Sequence, residues 1–345
     1  MSLTDGKLSR VAILAHEKFP DRAKTATGII RYADYEVTAV LDRERAGERV
    51  ADYMPDVADA PIVEGMEDVG DVDALVIGVA PIGGGFDESW RPDVRNALER
   101  GIDVIAGLHY FLTEDEELAE LAAEHGAELH DVRKPHPDLT VSEGVADEVD
   151  ADVVLTVGTD CSAGKMTTTL ELVEAARERG VDAEFIPTGQ TGIMIAGWGN
   201  PIDRVVSDFT AGAVEEMILE KGDDHDVLFV EGQGSIVHPA YSAVTTGILH
   251  GSMPDRMVLC HVAGREVVHG YEDTALPPVE EYVDLYQSLA APVHEGDVVA
   301  GALNTKDLGS DGEARRAVEA YADALGGPAT DPIRFDADEI LEAIL

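Results

Sequence analysis

The chain has 345 residues, 45% of them hydrophobic, which is material for sizeable cores and more than one typical domain, so two domains are expected. Its 69 acidic and 25 basic residues, seven of them lysine, give a formal net charge of −44. There is no basic stripe to neutralise phosphodiesters, which excludes nucleic acid as a partner, and no apolar run approaches the ~18–20 residues that span a membrane.

The acid is spread along the whole chain rather than gathered in a tail. This reads as a halophilic surface, adapted to very high salt, where screening weakens self-repulsion, and not as a nucleic-acid mimic. Cys161 and Cys260 supply no disulfide framework and fit a reducing cytoplasm. The N-terminal MSLTDGKLSR has no apolar signal core, so export is not indicated. Homo-oligomerisation is left open.

In chain order, RVAILA (10–15), YEVTAVLD (35–42), DALVIGVA (73–80) and IDVIAG (102–107) read as buried parallel strands. Between them, WRPDVRNALERG (90–101) predicts a helix with Pro92 in its first turn and Gly101 at its stop. TEDEELAELAAEHG (113–126) predicts another, with Thr113 as N-cap and Gly126 at its end. The alternation is that of a Rossmann-like α/β domain, assigned to residues 1–137. The dinucleotide fingerprint is missing, because AHEKFPDRAKTATG follows the first strand without GxGxxG. The glycine run IGGGF (82–86) follows a strand, as either a flexible turn or a binding loop.

RKPHPDLTVSEGVADEVDAD (133–152) is polar, acidic and broken by prolines, and reads as a linker. Beyond it lies a second domain, 138–345, with strands at 153–157, 183–188, 226–232, 256–262 and 298–305, and helices over 165–179, 207–221, 278–290 and 312–325. The fold class is α/β throughout, a Rossmann-like domain followed by a P-loop NTPase-like domain with a mainly parallel sheet.

The chemistry concentrates in GTDCSAGKMTTT (158–169), which follows the apolar strand VVLTV. Glycine-rich turns entering a helix aim backbone N–H groups at an anion, and Lys165 adds a point charge. The usual spacing is G-x4-G-K-[ST]; here five residues, Thr159, Asp160, Cys161, Ser162 and Ala163, separate Gly158 from Gly164. This longer loop resembles that of dethiobiotin synthetase and related amide-forming P-loop enzymes. In LFVEGQGS (228–235), which resembles their VEGAGG segment, Glu231 is placed to hold metal-bound water, to act as a base, or simply to fix a turn. Asn304, at a strand end, is either a reader of an adenine edge or a turn former.

The residue after the lysine is Met166, where such loops place the hydroxyl that completes a Mg²⁺ shell. A thioether does not coordinate that hard cation. Thr167 is adjacent, but one residue along a helix rotates a side chain by about 100°. Either Thr167 takes over in a shifted loop, or the loop grips phosphates that are never cleaved, as coenzyme A would require.

Together, GTDCSAGKMTTTLEL, PTGQTGIMIAGWG, SDFTAGAVEEM, VEGQGSIVHPAYSAVTTGILHGSMPDRMVLCH and the earlier GLHYFLTEDEELAELAAEHG with DVRKP resemble one family. It is the D-glutamate N-acetyltransferase (DgcN-like) family, formerly a domain-of-unknown-function family, and the resemblance runs from about Leu8 to the C-terminus. It implies transfer of an acetyl group from acetyl-CoA, as co-substrate, to the amino group of D-glutamate, within D-amino-acid catabolism. Met after the lysine belongs to that family's own pattern.

Acyl transfer to an amine needs a held donor, a base and stabilisation of a tetrahedral oxyanion. The donor phosphates are assigned to Gly158–Thr167 with Lys165. Glu231 or His238 is expected as the base, His238 having the alternative role of ordering its Pro-containing loop. Asp208 is expected to meet the substrate ammonium or to favour a helix N-terminus. Arg265 is expected to grip a substrate carboxylate or to make a salt bridge, and Gln190, in PTGQTG, to hydrogen-bond the acceptor or make the turn. An acetylated Cys161 is a minor route. No His/Cys spacing suits zinc, so no metal is expected. Two other functions compete. One is an ATP- or GTP-dependent ligase or kinase, with Mg²⁺ on Thr167 and Glu231; the other is a nucleotide- or CoA-sensing module.

Overall fold

The structure, a computed structural model, describes residues 8–81 and 83–345. Ile82, first residue of the glycine run, and most of the N-terminal stretch read for a signal lie outside the described residues. The chain forms two compact units, Met1–His136 with Gln190–Arg204, and Pro137–Gly189 with Val205–Leu345. The segment 190–204 leaves the second unit in sequence and joins the first, an excursion that no local composition signals.

The first unit runs β1 (Arg10–Leu14), α1 (Lys24–Tyr32), β2 (Glu36–Leu41), β3 (Ile62–Val63), β4 (Ala74–Ile77), α2 (Arg91–Glu99), β5 (Asp103–Ala106), α3 (Glu116–His125) and β6 (Leu129–Asp131). The strands form one parallel sheet in the order β3-β2-β1-β4-β5-β6, with the topological switch between β1 and β4. Val11–Leu14 and Ala74–Ile77 are wholly buried, as strands covered by helices on both faces must be. Helix α3 is capped by Asp115 and not by Thr113: Asp115 Oδ1 accepts the Leu118 N–H, while Thr113 donates from its N–H and hydroxyl to Asp131. Gly126 closes that helix at φ 72°.

The second unit runs β7 (Asp152–Gly158), α4 (Lys165–Glu178) and β8 (Ala183–Ile186). Helix α5 (Gln190–Ala196) then packs in the first unit, where Thr191 bonds Thr25 at 2.8 Å and Tyr35 Oη donates to the Met194 carbonyl. The second unit resumes with α6 (Thr210–Lys221), β9 (Val227–Val230), α7 (Ser242–Ser252), β10 (Arg256–Val262), the hairpin strands β11 (Val267–Val268) and β12 (Tyr271–Ala275), α8 (Val279–Ala290), β13 (Asp297–Asn304), α9 (Asp311–Leu325), β14 (Ala329–Thr330) and α10 (Asp338–Ile344). Its main sheet is parallel in the order β14-β13-β10-β7-β9-β8, which puts the phosphate loop after a central strand.

Helix α7 was not expected, since SAVTTGILHGS is rich in β-branched residues and glycine. Tertiary packing overrides that propensity. A methyl group on Gly251 would come within 2.4 Å of the Ala211 carbonyl, so the glycine lets α7 lie directly on α6. The stretch read as a linker is likewise tied down. Glu215 of α6, buried, accepts hydrogen bonds from the Ser142 hydroxyl and from the N–H groups of Glu143, Gly144 and Val145. Burial pulls its carboxyl pKa upward, but these donors together outweigh it and hold the pKa below the usual value.

Candidate active site

Strand β7 delivers the chain to Gly158, and α4 begins at Lys165, with Gly164 as its N-cap at φ 104° and Ser162 also left-handed at φ 52°. These reversals bend the loop over the helix N-terminus, where unpaired N–H groups and the helix dipole favour an anion. Lys165, 6% exposed, curls back and donates from Nζ to the Asp160 carbonyl at 2.9 Å. Underneath, Thr156 and Thr169 share a hydroxyl–hydroxyl bond of 2.9 Å, and Gly232 N–H donates to Thr156 Oγ1. A methyl group on Gly232 would come within 1.7 Å of the Thr156 carbonyl, so glycine is obligatory after Glu231.

The loop is bolted from the other side by residues that sequence reasoning did not single out. Thr159 Oγ1 bonds His261 Nδ1 at 2.8 Å, Ser235 Oγ donates to the Thr159 carbonyl, and Tyr286 Oη donates to the Gly158 carbonyl at 2.7 Å. Burial pushes the Tyr286 hydroxyl up to about 12 and the Cys260 thiol up to about 11, so both stay protonated at neutral pH. Burial, reinforced by Arg265 and opposed by Asp160, pushes His261 down to about 4, which keeps it neutral. Tyr286 belonged to a helix legible only for its apolar face, and no spacing ties it to the loop.

Of the two roles expected of Arg265, the structure shows the salt bridge. Its guanidinium donates to Asp160 Oδ2 at 3.1 Å and to the Cys161 carbonyl at 2.6 Å. Asp160, fully buried, also accepts the N–H groups of Cys161 and His269. The pair clamps the loop to the β11–β12 hairpin.

Met166 is 4% exposed, packed into the core, and its thioether offers no oxygen to a hard cation. Thr167 instead lines a cavity of about 430 Å³ in the second unit, a volume suited to a small ligand. Gly164 and Thr167 form one side, Leu303 and Asn304 at the end of β13 another, and Pro332 with Ile333 a third. The amide of Asn304 faces this apolar space beside the loop, where a methyl group on Gly164 would be 3.8 Å from Nδ2. Asn304 is at the same time a turn former, Oδ1 accepting the Lys306 N–H at 3.1 Å.

Glu231, 6% exposed at the end of β9, accepts on Oε2 the N–H groups of Thr188 and Gly189, at 3.1 and 3.0 Å. It therefore sets the turn that leads to α5. His238 is brought to the loop: ligating atoms of Asp160, Cys161 and His238 lie within 4.8 Å of one another. Its Nδ1 accepts the Ala240 N–H and its Nε2 faces the His269 carbonyl at 3.3 Å. With Asp160 already carrying three donors, the trio is arranged as loop scaffold. One expected residue makes no contact with the loop. Asp208 is exposed in a turn before α6 and, among the described residues, makes no hydrogen bond or ion pair. Gln190 is the first residue of α5 in the first unit, packed against Gly107.

The comparisons with known proteins agree with this architecture. A domain of unknown function described as the DUF1611 P-loop domain matches residues 140–341, and its companion Rossmann-like domain matches residues 43–135. A D-glutamate N-acetyltransferase of Tritonibacter scottomollicae is 40% identical over 271 residues, 78% of this chain and 80% of that protein. A D-glutamate N-acetyltransferase of a Pseudoalteromonas species is 37% identical over 269 residues, 77% and 80% of the two chains. The crystal structure of a DUF1611 family protein from Anabaena variabilis superposes with a TM-score of 0.92 at 38% identity, over 97% of this chain and 99% of the other.

Proposed function

The chain belongs to the DUF1611 family, and on that premise we propose that it is an acyltransferase moving the acetyl group of acetyl-CoA to the amino group of D-glutamate. The family relatives support the reaction and the acceptor. The donor is supported by one observation above all: an anion loop with a buried thioether where nucleotide-cleaving loops keep a hydroxyl. Such a loop suits a ligand whose phosphates are held and left intact. The loop 158–167 would hold the pyrophosphate, and the cavity beside Asn304 the adenine.

In the reaction, the neutral amine attacks the thioester carbonyl, the ammonium proton goes to a base, and the coenzyme A thiolate leaves. Between the two candidate bases, hydrogen bonding favours Glu231. With Nδ1 accepting from Ala240 and Nε2 donating to His269, His238 has no lone pair to spare. Glu231, at the end of the strand that pairs with β7, is the base that remains. His238 then acts by ordering its loop.

A reducing, salt-rich cytoplasm is the proposed setting, supported by the charge of −44 and by two free cysteines. Among the described residues no helix is long and apolar enough to cross a membrane.

Thiol release from acetyl-CoA in molar KCl, with D- or L-glutamate and with Mg²⁺ or EDTA, tests the reading. Release with D-glutamate that survives EDTA is expected. No release with either isomer from folded protein would overturn it and bring ATP- or GTP-dependent ligation forward.

A further inference from the structure

We infer that Lys306 forms a subsite for a phosphate on the ribose of the nucleotide, so that the cavity selects a 3′-phosphorylated adenosine over an unphosphorylated one. This rests on the acetyl-CoA reading and specifies which part of the donor is recognised beyond the pyrophosphate.

The cavity walls are chiefly apolar, which suits the faces of a base, and its polar groups are few and directional. Asn304 offers an amide to the base edge. Two cationic side chains line the same space, Lys306 and Arg334. Arg334 is already occupied: it donates to Asp311 Oδ1 at 2.8 Å and to the carbonyls of Thr305 and Leu308. Lys306 is exposed at the rim and, among the described residues, makes no ion pair.

Lys18, Lys24 and Lys134 likewise make no ion pair among the described residues, so what sets Lys306 apart is its place on the cavity rim beside Asn304. Its backbone N–H donates to Asn304 Oδ1, two residues before it, which fixes where the side chain starts. The nearby buried carboxylate of Asp331 is consumed by the Thr305 N–H and hydroxyl and by the N–H groups of Ile333 and Arg334. It builds the far wall of the cavity.

With the base against Asn304 and the pyrophosphate on the loop at Gly164, both on one cavity, the ribose lies between them and its hydroxyl edge meets the rim. An ammonium there complements a phosphate monoester dianion, a charge-assisted contact. In ATP that position carries only a hydroxyl. The residue therefore distinguishes coenzyme A from the commoner adenine nucleotides.

The test is equilibrium binding of coenzyme A and of 3′-dephospho-coenzyme A to the full chain in EDTA, at the lowest KCl that keeps it folded, since salt screens the contact. Acetyl transfer from the two corresponding acetyl donors is measured in parallel. The wild type is expected to bind coenzyme A about tenfold more tightly than the dephospho form. In Lys306→Gln that preference disappears, and in Lys306→Arg it is kept. Equal affinities in the wild type, or a preference that survives Lys306→Gln, would overturn the inference even where acetyl transfer proceeds. Preferential binding of coenzyme A without any transfer would uphold the subsite and overturn the proposed reaction.

Discussion

Replacing Arg265 by alanine separates two roles for that side chain. Its guanidinium reaches Asp160 Oδ2 at 3.1 Å, and the partners keep 20% and 0% of their side-chain exposure. Stranding a buried carboxylate costs about 3–5 kcal/mol when nothing else compensates it. Asp160 retains the N–H groups of Cys161 and His269 at 2.7 and 2.8 Å, and water enters where the guanidinium was, so the expected loss is about 2–3 kcal/mol. Urea unfolding in fixed KCl measures it as a lower midpoint at unchanged slope. With the loop slackened, the KM for acetyl-CoA rises while that for D-glutamate changes little. In an Asp160→Ala background the same change costs under about 1 kcal/mol, because no charge is left stranded. Unaltered stability together with a raised KM for D-glutamate alone would refute the clamp and return the guanidinium to the substrate.

Two further outcomes are expected. His261 has a folded pKa of about 4 against an ordinary 6.5, so the unfolded chain takes up its proton first on acidification. The stability linked to neutral His261 is fully present above pH 6.5 and falls by about 3 kcal/mol as pH drops to 4; a His261→Gln variant whose Tm falls as steeply as the wild type over that window would contradict it. Met166→Thr removes a buried thioether and buries a hydroxyl, at a cost of about 2–3 kcal/mol in urea unfolding. Acetyl transfer by this variant stays insensitive to Mg²⁺, and stimulation by the metal would show that position 166 faces the phosphates after all.

Much of the molecule is legible locally. Parallel strands covered on both faces are short apolar runs, and RVAIL or RMVLCHV announce themselves without reference to anything distant. The phosphate loop is contiguous, with strand, glycines, lysine and helix in one stretch of sequence, so its position and its anion-binding character follow from spacing and backbone chemistry. Glycine at the end of α3 and serine before α9 mark helix limits by the same local logic.

Tertiary structure decided what depends on residues far apart in the chain. Arg265 and Asp160 are separated by 105 positions, and only the pairing of β10 with β7 and the turn into the hairpin bring them together. Helix α7 exists because glycines permit contact with α6, against its own propensity. The segment 190–204 carries no composition that would assign it to the first unit; its buried Ile193 and Met194 find their partners there. Met166 was recognisable as a departure from metal-binding loops, but its burial, and the placing of Thr167 on a cavity closed by Pro332 and Ile333, required the whole second unit to fold. Backbone chemistry and periodicity act over a few residues and are written in sequence order, whereas partners, cavities and cation placement are set by packing between elements that the sequence lists far apart.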